Sequence, residues 1–295
     1  MSGKYSVNKH LAGLDFASLS HADKIALLKK ILENKIHGIS YSAYMDGQEP
    51  GVEISEDQIE GRLRIIQPYT HWIRTFSCVE GNQNIPGIAK SLDLKTMVGV
   101  CLSEDKDKNE IELGNAIDIA RQGHVDILAV GNEVLLRGEL TEQELIEYIS
   151  RAKQALPGLS VSYVDAYFQF EVHPALTEAC DVLLVNCYPF WEECHADYAL
   201  LYMKDMYHRS LRVANGKKVI ISETGWPTQG EACGAAVPSY ENAMQYFINT
   251  YQWAAQDDVD IFYFSSFDEA WKTGDEGDVG AYWGLWDKDG NFKYK

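Results

Sequence analysis

Basic residues are scarce: 26 Lys and Arg stand against 44 Asp and Glu, a formal net charge of -18. A surface of that balance repels phosphate backbones and anionic lipid, which argues against nucleic acid and membranes as partners. Long apolar runs are missing, and none approaches the roughly 20 residues that cross a bilayer. Met1 to Leu14 passes through Lys4, Lys9 and His10 without the apolar core of a signal peptide. The expectation is a cytoplasmic protein if Met1 is the native start, and a secreted or periplasmic one if a leader has been removed. The six cysteines, Cys78, Cys101, Cys180, Cys187, Cys194 and Cys233, form no CxxC pair and no spacing suited to zinc, so no metal is expected. Cys78, Cys101 and Cys187 fall near the ends of apolar runs and read as reduced, buried thiols. His71, His124, His173 and His195 lack the spacing of a metal site or triad, and no Gly-x-Ser-x-Gly elbow supports acyl transfer. Asp287 to Asn291 lacks the helix pair and terminal Glu of a calcium loop and reads as a turn.

What remains is an ordinary globular composition, 46% hydrophobic and 24% charged, in 295 residues. Seventeen Tyr, ten Phe and seven Trp supply flat faces suited to neutral sugar rings, although most must be core. Ser20 caps a predicted amphipathic helix running to about Lys35, with Ile25, Leu27, Leu28 and Ile31 at helical spacing. Short apolar runs follow at Ile36 to Ala43, His71 to Phe76, Thr96 to Cys101, Val125 to Val130, Leu159 to Val164, Val182 to Asn186, Lys218 to Ile221 and Ile261 to Ser265. Helical patterns such as Ser55 to Tyr69, Glu110 to Gln122, Thr141 to Leu156 and Tyr240 to Ala255 lie between them. Eight alternating units with mostly apolar strands predict an α/β chain closed into a single (β/α)₈ TIM barrel over residues 1–295. Residues 1–35 form a lead-in and a helix expected to cover one barrel end. The rival, an open doubly wound sheet, needs a Gly-rich turn after the first strand, where the chain reads Tyr41-Ser42-Ala43-Tyr44. No cofactor is expected.

Catalytic groups of such barrels sit where strands end. The fourth run ends in Val130-Gly131-Asn132-Glu133 and the seventh in Ile221-Ser222-Glu223, with the two glutamates 90 residues, or three βα units of roughly 30, apart. Glycoside hydrolysis requires such a pair, one carboxyl protonated and one carboxylate facing the anomeric carbon. Helix capping, or pairing of Glu133 with Arg137, is the simpler alternative. The residues supply the pair but not the roles.

Together with Gly38 to Tyr41, Ile73-Arg74-Thr75-Phe76, Val185-Asn186-Cys187-Tyr188-Pro189-Phe190, Ile221 to Pro227 and Phe267-Asp268-Glu269-Ala270-Trp271-Lys272, these words resemble glycoside hydrolase family 17 from Ile36 to Lys293. The resemblance implies a retaining β-1,3-glucanase, endo-acting, with Glu133 as acid/base and Glu223 as nucleophile. Retention calls for the two carboxyl groups about 5 to 5.5 Å apart. It further implies substrate contacts at Tyr41, Asn132, Tyr188, Phe190, Trp226, Glu269 and Lys272, with Asn132 on a sugar 2-hydroxyl and Tyr188 donating to the nucleophile. A turn role for Asn132, core packing for Tyr188 and a local salt bridge between Glu269 and Lys272 remain open. Trp191, Trp271 and Trp283 join Phe190 and Trp226 as stacking candidates, each equally suited to packing. Arg74 supports the site or forms a structural pair, and Asp165 is a third carboxylate near the expected mouth. The expected partner is a neutral β-glucan, and a monomer is favoured. Two rivals stand: a β-1,3-glucan transglycosylase using the same glycosyl-enzyme, and a silent glucan-binding barrel.

Overall fold

The structure, a computed structural model, describes residues 13–274 and 276–295, so most of the predicted lead-in lies outside the described residues. Each of the eight apolar runs overlaps a strand: β1 (Ile36–Ser40), β2 (Thr70–Arg74), β3 (Lys95–Val100), β4 (Ile127–Asn132), β5 (Ser160–Ala166), β6 (Leu183–Asn186), β7 (Val219–Thr224) and β8 (Ile261–Tyr263). They pair in parallel in chain order, and β8 returns to β1, closing the barrel. The helices are α1 (His21–Glu33), α2 (Glu56–Ile66), α3 (Ile85–Ser91), α4 (Lys106–Arg121), α5 (Glu142–Ala155), α6 (Gln169–Val172), α7 (Pro174–Ala179), α8 (Ala199–Val213) and α9 (Tyr240–Asp257).

Local chemistry fixes where the longer helices begin. Ser20, Ser55, Asp105, Thr141 and Ser239 each accept a hydrogen bond from a first-turn amide, which satisfies a donor the helix cannot. Asp105 therefore starts α4 at Lys106, earlier than the predicted Glu110. Thr141 and Glu144 form a reciprocal capping box at α5.

Strand alternation divides the core into two layers. Met97, Ile127, Ala129, Val164, Leu184, Ile220 and Phe262 form one buried cluster, which fills the barrel interior. Their strand neighbours, including Val98, Leu128, Tyr163, Val185 and Ile221, belong to the larger cluster packed beneath the helices. Two residues beyond the interior Leu184 and Ile220 come Asn186 and Ser222, so the same face turns polar at the C-terminal mouth.

Two expectations change. The first helix does not cap a barrel end: α1 stands in the outer ring against α9, buries Leu28 and Leu32, and pairs Lys24 with Glu241. No α-helix follows β8 among the described residues. Of the three thiols expected to be buried, Cys78 and Cys187 are, whereas Cys101, just past the end of β3, is exposed.

Candidate active site

Glu133 follows β4 and Glu223 lies within β7, and both line one cavity of about 380 Å³ at the barrel mouth. Neither simpler reading of Glu133 applies. The cap of the next helix is Thr141, and Arg137 makes a paired contact with Glu139 at 2.9 and 2.8 Å. The turn that presents Glu133 is unusual, with the residue itself left-handed at φ 54° and Gly131 at φ 92°. A Cβ on Gly131 would come within 3.2 Å of the Tyr163 ring, so the site requires glycine on two counts.

Arg74, buried at the end of β2, ties the two sides together. Its Nη1 donates to the Glu223 carboxylate and to the Ser222 carbonyl oxygen (3.1 Å), and its Nη2 donates to Asn132 Oδ1 (2.8 Å). Tyr188 donates its hydroxyl to the other Glu223 oxygen at 2.7 Å. Asn186 donates to Glu133 Oε1 at 2.8 Å and is itself oriented by the Ser222 hydroxyl, 2.9 Å from its Oδ1. Because Asn132 Oδ1 accepts from Arg74, its amide nitrogen faces away from the guanidinium. Asn186, at the end of the sixth apolar run, carries the same positional signal as Glu133, although the sequence alone gives it no role.

The two carboxyl groups sit in opposite surroundings. Burial first, and then the charge of Glu223, push Glu133 up to about 7, against the lowering effect of the Asn186 contact. Glu223 instead has a guanidinium on one oxygen and a phenol on the other. The phenol of Tyr188 is raised well above its ordinary value by burial and by Glu223, so it remains a donor.

The other predicted contacts divide. Tyr188 and Lys272 line the cavity, as do the stacking candidates Trp191 and Trp283. Tyr41, Phe190 and Trp226 do not: each is at most 1% exposed. The Tyr41 hydroxyl bonds the Ile59 carbonyl at 2.9 Å, while Phe190 and Trp226 pack edge to face, 5.3 Å apart. Trp271 packs against Tyr44 instead of lining the cavity. Lys272 pairs with Glu276 at 2.9 Å and lies 4.0 Å over the Phe264 ring. Glu269 is buried outside the cavity lining, and its Oε1 lacks a hydrogen-bond partner. Tyr167, Phe168 and Phe264 complete the aromatic wall, though sequence reasoning had singled out none of them.

The family model for the BtgE/BtgC glycoside hydrolase domain matches residues 38–284. Glucan 1,3-beta-glucosidases of Candida albicans and Saccharomyces cerevisiae are 27% and 25% identical to the chain. These alignments span 80% and 81% of this chain and 84% and 85% of theirs. The crystal structure of the glycoside hydrolase family 17 beta-1,3-glucanosyltransferase from Rhizomucor miehei is 29% identical. It superimposes with a TM-score of 0.79 over 88% of this chain and 96% of that one. With a closed barrel, two mouth glutamates and a family match over most of its length, the chain belongs to glycoside hydrolase family 17, through the BtgE/BtgC glycoside hydrolase domain.

Proposed function

We propose that the protein cleaves β-1,3-glucan or its oligosaccharides with retention of configuration, Glu133 serving as acid/base and Glu223 as nucleophile. The observation that carries this reading is the asymmetry of the pair: a carboxyl raised to about 7 faces the same cavity as a carboxylate held by Arg74 and Tyr188. A Glu223 oxygen attacks the anomeric carbon while Glu133 gives its proton to the departing glycosidic oxygen. Glu133, now a base, then takes a proton from water, whose oxygen displaces Glu223 and frees the sugar. The Asn132 amide nitrogen donates to the sugar 2-hydroxyl, Lys272 contacts the substrate, and Trp191, Trp283 and Tyr188 offer ring faces. The laminaritriose complex of an active-site mutant of the Rhizomucor miehei enzyme supports a β-1,3-glucan ligand. Attack within the chain accords with a rim at which Leu136 and Trp191 are 45% and 40% exposed.

A second reading, transfer of the glycosyl group to another sugar, is favoured by the similarity to that glucanosyltransferase. Time-resolved sizing of products from laminari-oligosaccharides separates the two. Hydrolysis yields only shorter products, internal attack releases oligosaccharides before glucose, and transfer yields products longer than the starting material. Failure to turn over any β-1,3-glucan would contradict both.

A further inference from the structure

Asp165 is a fully buried carboxylate to which the two-glutamate reaction assigns no task. It lies on β5 two residues from Tyr163, which is also 0% exposed. Val164 between them belongs to the interior cluster, so strand alternation turns Tyr163 and Asp165 to the outer face, away from the substrate cavity. Asp165 is near the mouth, next to the cavity-lining Ala166, but does not itself line the cavity.

The contacts of this pair lead to the Glu133 turn. Asp165 accepts from the Ala166 amide (2.7 Å) with one oxygen and from the Tyr163 hydroxyl with the other. The same hydroxyl accepts from the Leu135 amide at 3.1 Å, two residues past Glu133. The Tyr163 ring lies under Gly131, and the Val164 carbonyl accepts from the Glu133 amide at 2.9 Å. A left-handed backbone is unfavourable for a residue that carries a Cβ, so the turn at Glu133 needs such support.

We propose that Tyr163 and Asp165 are positioning residues, a buried brace that holds the turn on which Glu133 is presented to the cavity. The inference rests on Glu133 being the acid. Asp165 is itself pushed up to about 6 by burial, and its charge adds to those that raise Glu133. The other ionisable groups around Glu133 are Glu223 on β7, Arg74 on β2, Arg137 on its own turn and Tyr188 after β6. Glu192, Lys272 and Glu276 stand on the cavity wall.

The test compares Asp165→Asn and Tyr163→Phe with the unmodified protein on laminarin and on dinitrophenyl β-laminaribioside, whose leaving group needs little protonation. In both variants kcat/KM on laminarin should fall about tenfold or more, with less than about a threefold change in kcat/KM on the activated substrate, because kcat/KM reports the step in which Glu133 donates its proton. In Asp165→Asn the alkaline limb of kcat/KM should also move to lower pH, because a neighbouring negative charge no longer disfavours ionisation of Glu133. Tyr163→Phe keeps the charge and tests the brace if Asp165→Asn fails to fold. Folded variants whose leaving-group dependence and alkaline limb match the unmodified protein would overturn the proposal. Glu133→Ala run alongside separates the two levels: if it shows no leaving-group dependence, the acid assignment fails first.

Discussion

Arg74 holds three acceptors from two strands, Ser222 and Glu223 on β7 and Asn132 on β4, so the geometry of both sides of the site depends on one planar fork. Arg74→Met would leave the buried Glu223 carboxylate without its cation. A loss of about 3–5 kcal/mol in unfolding free energy is expected, measured by denaturant titration. Arg74→Lys returns a charge but not the fork, so kcat/KM should stay about tenfold or more below the unmodified protein. Glu133 makes a prediction of opposite sign. Its carboxyl is raised in the fold, so its stabilising contribution is complete below the unfolded value near 4.3 and is lost as pH rises through about 7. Glu133→Gln should therefore gain about 1–3 kcal/mol on the unmodified protein between pH 4 and pH 8, and parallel stability curves would contradict the assignment. The position of both glutamates was legible because a carboxylate two or three residues past an apolar run is conspicuous. The aromatics were less so: Tyr41, Phe190 and Trp226 sit within four residues of strand ends, yet all turn into the core. The register is irregular near the ends of β4, β6 and β7, so simple alternation does not report which face a residue takes there, and one sequence does not reveal it.

At the scale of elements, all eight strands were foretold by apolar runs, while their ends were set by pairing. β1 stops at Ser40, where β2 ends opposite at Arg74, although the apolar run continues to Ala43. α3, α6 and α7 span four to seven residues, too short to show a periodic stripe, and none was singled out. The first helix was recognised, but its seat depends on a partner more than 200 residues away, which local periodicity cannot report. Because α1 belongs to the outer ring, with Leu28 fully buried, Leu28→Ala should lower stability by about 2–5 kcal/mol within a single unfolding transition. A separate early transition would show instead that α1 is a detachable cover.

Across the whole molecule, barrel closure gathers Arg74, Asn132, Glu133, Asn186 and Glu223 at one rim, although sequence places them up to 149 residues apart. A net charge of -18 suits a neutral ligand, and the cavity is walled by Tyr167, Phe168, Tyr188, Trp191, Phe264 and Trp283. The stereochemistry of chemical rescue separates the roles proposed for the two glutamates. With azide and an activated β-laminaribioside, Glu223→Gly should yield the α-glycosyl azide, because azide replaces the nucleophile and attacks once. Glu133→Ala should yield the β-glycosyl azide, because the glycosyl-enzyme still forms and azide displaces it in a second inversion. The reverse pattern, an α product from the position 133 variant and a β product from the position 223 variant, would contradict the account.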